Sequence, residues 1–361
     1  MKKILFALLL VIAAFVSCTR DPALIAPLDH LSSPVVLDLD AVPYDSLSRY
    51  NFFSGNMADL DPVQGVLPFE VITPLFSDYA KKKRFVWMPA GVNASYVNDA
   101  SSLLFQDGAV LIKNFYYDHV LPDDGRRIIE TRLLIRRNDS WVFANYVWNE
   151  AQTEAVLDMN GSFTAVQWLG DLGEVNNVNY RIPAQAECLT CHKDNNVPVP
   201  IGTKPQNLNS TFAYPDGDMN QLARWHAVGY LAAPPPGSIA TTVRWDDATQ
   251  DLTERVRAYL EMNCAHCHSD VGHCDYRPMR FAWSQTTDPA NLGICVPPDE
   301  PLLPQHSHII SAGNTERSVL FYRISATDET VRMPLLGRTV VHTEAVQLFE
   351  DWINSLSPPC P

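Results

Sequence analysis

The sequence predicts an α+β multidomain chain in which an N-terminal antiparallel β domain is followed by α-helical units. Three observations lead there: strand-like segments between residues 68 and 182, apolar stripes at helical spacing after residue 220, and a Cys-x-x-Cys-His motif that occurs twice. The 361 residues, 46% hydrophobic and 19% charged, are enough for two or three domains of roughly 150 residues each and exclude disordered or fibrous folds. The expected division is a leader at 1–17, a tether and wrapping segment at 18–66, the β domain at 67–182, a first motif-bearing unit at 183–237 and a second at 238–361.

Lys2 and Lys3, an apolar stretch from Ile4 to Val16, then Ser17 and Cys18, read as an export leader too short to span a bilayer, which needs about 20 apolar residues. A small residue directly before cysteine resembles a bacterial lipoprotein cleavage box, making Cys18 the lipidated first residue. Phe15 is unusual at its place in such a box, and a plain secretory leader is the alternative. From Asp21 to Val66 the chain is rich in Pro, Asp and Ser without sustained period, as a tether that wraps would be. Arg84–Met88, Ala109–Asp118, Arg126–Arg137 and Trp141–Asn149 are β-branched and aromatic runs, joined by turn residues at 123–125 and 138–140. They predict a sandwich or partial barrel, with His119 a surface residue beside a turn.

Beyond residue 182, Pro183 is expected at the first position of a short helix carrying Cys188–His192, followed by a Pro-rich loop at 195–205. A helix is expected over Asn220–Leu231, ended by Pro234-Pro235-Pro236. Leu252, Val256, Tyr259 and Leu260 predict a helix delivering Cys264. Val346, Phe349, Ile353 and Leu356 predict a second, begun at Thr343 and stopped by Pro358, that crosses it. Asn314–Ile324 is a third helical candidate, ahead of the loop Arg332-Met333-Pro334.

Cys188-Leu-Thr-Cys191-His192 and Cys264-Ala-His-Cys267-His268 each match the covalent attachment signature of c-type haem. With 8 cysteines and 10 histidines in the chain, composition alone predicts about 0.005 occurrences. Two thiols three residues apart share one helical turn, so both reach the porphyrin vinyl groups, and the next residue sets its imidazole under the iron as the proximal ligand. A zinc ribbon is the alternative, but it wants its halves about 15–20 residues apart, and 72 residues separate Cys191 from Cys264. Two covalently attached haem c groups are therefore expected, bound through Cys188, Cys191, Cys264 and Cys267, with His192 and His268 on iron.

Cys274, Cys295 and Cys360 are left over. Cys274 and Cys295 flank a loop-like insertion at 272–298 that a crosslink would order, which predicts a disulfide between them, with Cys360 an equally available thiol. Met333 is the expected distal ligand of the second haem. For the first, Met219, His226 and Met159 are alternatives, as is an open site.

The stretches Cys264–His268, Arg332-Met-Pro-Leu-Leu-Gly337 and Phe349-Glu-Asp-Trp-Ile353 resemble the cytochrome c domain. Phe76-Ser-Asp78, Val110–Phe115, Glu130–Leu134, Tyr146–Asn149, Ile182–Cys188 and Asn220–Leu222 extend the likeness, over roughly residues 74–356, to a family of exported bacterial dihaem c-type cytochromes. That resemblance implies α-helical, cytochrome c-type haem domains behind the β domain. It implies haem attachment at both motifs and distal ligation by Met333. Similar haem regions occur fused to sorbosone-dehydrogenase-like domains that use pyrroloquinoline quinone, which implies electron acceptance from a separate quinoprotein sugar or alcohol dehydrogenase.

The expected function is one-electron transfer by a lipid-anchored protein facing the periplasm at the outer membrane. A dihaem peroxidase with an open first haem, and a carbohydrate-binding or redox-sensing module, are the alternatives. The 27 basic and 41 acidic residues give a net charge of −14, which excludes nucleic acid as a partner and suits a basic redox partner protein.

Overall fold

The computed structural model describes residues 33–361. The leader at 1–17, Cys18 and the tether up to residue 32 lie outside the described residues. Ten strands precede the first motif: β1 (Leu67–Phe69), β2 (Lys81–Trp87), β3 (Ala94–Ser95), β4 (Leu104–Phe105), β5 (Val110–Val120), β6 (Gly125–Arg137), β7 (Ser140–Trp148), β8 (Ala155–Leu157), β9 (Ser162–Leu169) and β10 (Val175–Ile182). Eight form one antiparallel sheet in the order β1-β2-β5-β6-β7-β8, with β9 and β10 joined at the end of β5, where Val120 faces Trp168. β3 and β4 pair separately.

The sheet arises directly from its residues. Asn138 and Asp139 take φ of 51° and 56°, the left-handed pair that a two-residue hairpin turn demands, and set Arg137 opposite Ser140. Side chains then alternate between faces. Phe85, Ile112, Leu133 and Ala144 pack with Tyr44, Leu47, Tyr50 and Phe52 of the N-terminal arm, so the described part of that segment wraps the sheet. Val86, Leu111, Trp141 and Phe143 face the other way, onto Leu208, Leu222, Trp225 and Met262.

The helical, cytochrome c-type domains expected behind the sheet are not found there. Among the described residues the helices are α1 (Gln185–Cys191), α2 (Pro205–Leu208), α3 (Gln221–Ala227), α4 (Leu252–Asn263), α5 (Val319–Ser325) and α6 (Thr343–Ser355). Helix makes up 17% of the structure, and the large antiparallel sheet dominates it. The physical reason is that the first motif's surroundings have no core of their own: Leu222 and Trp225 of α3 and Met262 of α4 are buried against the sheet. Short ribbons fill the rest, β11 (Lys193–Asp194) with β12 (Val197–Pro198) and β13 (Thr211–Tyr214) with β14 (Gly217–Asn220). Residues 264–318 run almost entirely through turns.

The stripes at 252–260 and 346–356 become α4 and α6, whereas the helices expected over 220–231 and 314–324 shorten to α3 and α5, with turns at 228–229 and 316–317. α4 starts on Asp251, whose carboxylate accepts from the amides of Thr253 and Glu254. α4 and α6 pack on each other through Tyr259 and Phe349, whose ring centroids are 5.7 Å apart. α1 differs from expectation by its start: Ala184 is the N-cap, and Pro183 lies before it, its carbonyl accepting from Asn145 Nδ2 of β7 at 2.7 Å.

Candidate functional site

One cavity of about 310 Å³ is lined by both Cys-x-x-Cys-His motifs, by Met333 and by one end of the inner sheet face. The first motif reaches it on α1, which β7 anchors: besides the bond from Asn145, Gln185 Nε2 donates to the Phe143 carbonyl at 3.3 Å. Glu187 Oε2 accepts from the Ala184 amide at 3.0 Å and completes the helix start. His192 closes the helix as its C-cap. Asn195 and Asn196, with φ of 48° and 67°, then turn the chain back through β11 and β12. That hairpin brings the Val199 carbonyl to 2.9 Å from His192 Nδ1. A donated Nδ1–H leaves Nε2 as the free lone pair, the arrangement a metal-ligating imidazole needs.

The second motif begins at the C-cap of α4, where the amides of Cys264 and His268 donate to the carbonyls of Leu260 and Cys264. His268 is 9% exposed and lies against Phe281, with ring centroids 5.3 Å apart. Its Nδ1 is buried with no hydrogen-bond partner, as is that of His266. Burial holds both His192 and His268 down to about 4, so each imidazole is neutral and nucleophilic near neutral pH. Cys188, Cys191, Cys264 and Cys267 are all free thiols. The two motifs touch: Cys267 Sγ lies 3.4 Å from the Thr190 carbonyl, and ligand atoms of Cys191, His266 and Cys267 fall within 4.8 Å of one another.

Met333 lines the same cavity, in a loop pinned by Arg338. That guanidinium, 4% exposed, donates to the carbonyls of Met333, Arg323, Ala326 and Val340. Asp78 secures the loop to the β domain, accepting from the amides of Thr339 and Val340 at 2.6 and 3.0 Å.

Met219 and His226 are not among the cavity-lining residues. Met219 faces Phe212 across the β13–β14 ribbon, and His226 Nδ1 pairs with the Leu231 carbonyl at 3.1 Å. Met159 does not line the cavity either; its carbonyl accepts from the Gln185 amide. The expected Cys274–Cys295 disulfide is replaced by Cys295–Cys360, while Cys274 is a buried free thiol in the cavity wall. After α6 the chain returns to the Ile310–Ala312 segment, which pairs with the Cys295 amide, and this places Cys360 there; Cys274 is held instead by the Cys267 carbonyl. His119 is exposed near the end of β5, beside the turn, and pairs with Asp124, the surface position expected of it.

Sequence reasoning missed His342, which lines the cavity stacked on Phe76 at 4.0 Å, its Nδ1 3.0 Å from the Tyr259 hydroxyl. It also missed Val199, for which the Asn195-Asn196 pair was the available signal. No helix among the described residues is long and apolar enough to cross a membrane. Comparison with protein-family models, curated proteins and solved structures finds no match to this chain.

The cavity suits a covalently held metalloporphyrin in its donor set: two thiol pairs at one-turn spacing, two neutral imidazoles directly after them, and a methionine thioether among the lining residues.

Proposed function

We propose that this chain is an exported one-electron carrier with two c-type haems, and the observation that carries the reading is the convergence of both Cys-x-x-Cys-His motifs on one cavity. Cys188 and Cys191 would hold one porphyrin and Cys264 and Cys267 the other, with His192 and His268 as proximal ligands and Met333 as distal ligand of the second. When bound, haem supplies a reversible one-electron couple whose potential the axial ligands and burial tune. The chain's own residues orient and seal. Val199 fixes the His192 ring through its carbonyl, Arg338 holds the Met333 backbone in place, and Phe143 and Phe281 flank the two imidazoles.

The Cys295–Cys360 disulfide supports an oxidising compartment, in keeping with the export leader read from sequence. Lipid anchoring at Cys18 on the periplasmic side of the outer membrane is part of the same proposal. The charge of −14 suits docking to a basic redox partner, and a separate quinoprotein sugar or alcohol dehydrogenase is the proposed donor.

Cys191, His266 and Cys267 favour a second reading, a soft divalent metal such as zinc. Three ligands fall short of the four a structural zinc site requires, so this reading ranks below the first. Potentiometric titration of the matured protein with and without peroxide tests the carrier reading. Two low-spin haems without peroxide turnover are the expected result; turnover would make it a peroxidase, and tightly held zinc with no haem spectrum would establish the second reading.

A further inference from the structure

Four cations gather on the cavity side of the sheet. Arg84 on β2 stands directly opposite Lys113 on β5, Lys113 opposite Arg132 on β6, and Arg132 opposite Asn145 on β7. Lys82 shares their face two residues before Arg84. Like charges directly opposite across strands repel, so an unbroken row of this kind is destabilising unless something neutralises it. Two of the four are neutralised within the fold: Glu70 lies 3.2 Å from Arg84, and the fully buried Glu130 accepts from Arg132 Nε at 3.0 Å. Lys82 and Lys113 have no carboxylate within 4 Å among the described residues, and Lys113 meets only the Phe115 ring at 4.8 Å. Burial and the neighbouring cations push Lys113 well below the ordinary lysine range, as expected of an ammonium lacking its counter-ion.

Lys113, without a carboxylate partner, thus lines a cavity whose wall also includes Arg84 and Arg132 beside Cys188, Cys191 and His192, while Lys82 stands behind it on the same face of the sheet. A porphyrin of the c type carries two propionate carboxylates. Resting on the haem reading above, we propose that the row formed by Arg84, Lys113 and Arg132, with Lys82 behind it, is a carboxylate seat that takes the propionates of the haem attached at Cys188 and Cys191. The shared chemistry is recognition of a carboxylate-like anion, and a free small anion is the rival source. Arg132 offers a planar fork already oriented by Glu130, and Lys113 adds a compact ammonium on a flexible stem.

The test compares matured wild type with Lys113→Gln, Lys113→Arg and the exposed control Lys81→Gln, reading propionate bending bands by resonance Raman alongside the reduction potential. Lys113→Gln is expected to shift the propionate band and to raise the ferric-to-ferrous ratio at fixed potential by about tenfold, which is about 59 mV for one electron. Lys113→Arg and Lys81→Gln are expected to keep both values. An unchanged propionate band in Lys113→Gln with haem fully attached would overturn the seat while leaving the carrier reading intact. A saturable response of the wild-type spectrum to inorganic phosphate, lost in Lys113→Gln, would assign the row to a free anion and overturn the propionate assignment. Wild type bearing no porphyrin would overturn both readings together.

Discussion

Strands β5, β6 and β7 bury side chains on both faces, one under the N-terminal arm and one under α2 and α3, whereas residues 264–318 run through turns around a handful of apolar anchors such as Phe281, Leu292 and Ile310. The first region holds its shape through cross-strand register and area removed from water. The second relies on point restraints: the Cys295–Cys360 bridge, the Arg338 grip on four carbonyls, and the contact between the two motifs. The site sits where they meet, its cationic row and α1 anchored by the rigid sheet, its second motif and Met333 supplied by the restrained loops. The candidate ligand groups are therefore positioned by two frames of different kinds, joined at Asp78 and at the contact between the two motifs.

The largest effect is expected from the attachment cysteines. Replacing Cys188 and Cys191 together with serine should remove one haem, halving the haemochrome absorbance per chain, while the second motif still loads; complete loss would show that the two sites assemble as one. Breaking the loop frame comes next. Cys295→Ser opens a closure spanning 65 residues, and loop-closure entropy puts the cost at about 4 kcal/mol, read as a lower denaturation midpoint. On the sheet side, Trp225→Ala empties a fully buried site against Phe69 and Phe105 and should cost about 3–5 kcal/mol by urea unfolding.

His342 tests the junction itself. Burial holds its imidazole at about 4, below the ordinary 6.5, so the unfolded chain binds more protons between these values. Its contribution is fully present above pH 6.5 and is lost as pH falls toward 4, amounting to on the order of 3 kcal/mol. His342→Phe should flatten that part of the stability–pH curve relative to wild type; an unchanged curve would show that His342 does not set it. The smallest effect is Asn220→Ala at the start of α3, where loss of a side chain capping Leu222 and Ala223 should cost about 1 kcal/mol.

The sheet was legible where local chemistry determines it. Asn138-Asp139 announces its own turn, and the β-branched runs flanking it read as strands. The ribbon of β9 and β10 was not, because Asn176, Asn177 and Asn179 alternate with only a few apolar residues and look like loop composition. α4 and α6 were legible from their apolar stripes. The larger error was to extend the motif into a fold: a five-residue Cys-x-x-Cys-His motif says nothing about whether Trp225 buries itself in a helical bundle or on a sheet. The disulfide and the cationic row were beyond reach for a related reason. Cys360 meets Cys295 only after α6 returns the chain, and Arg84, Lys113 and Arg132 become neighbours only through strand register.

The most direct test is intact-mass measurement of the chain produced in an export-competent host that assembles c-type cytochromes. The expected result is a mass increased by two porphyrins that survives denaturation. A denatured chain carrying no porphyrin mass would contradict the haem assignment.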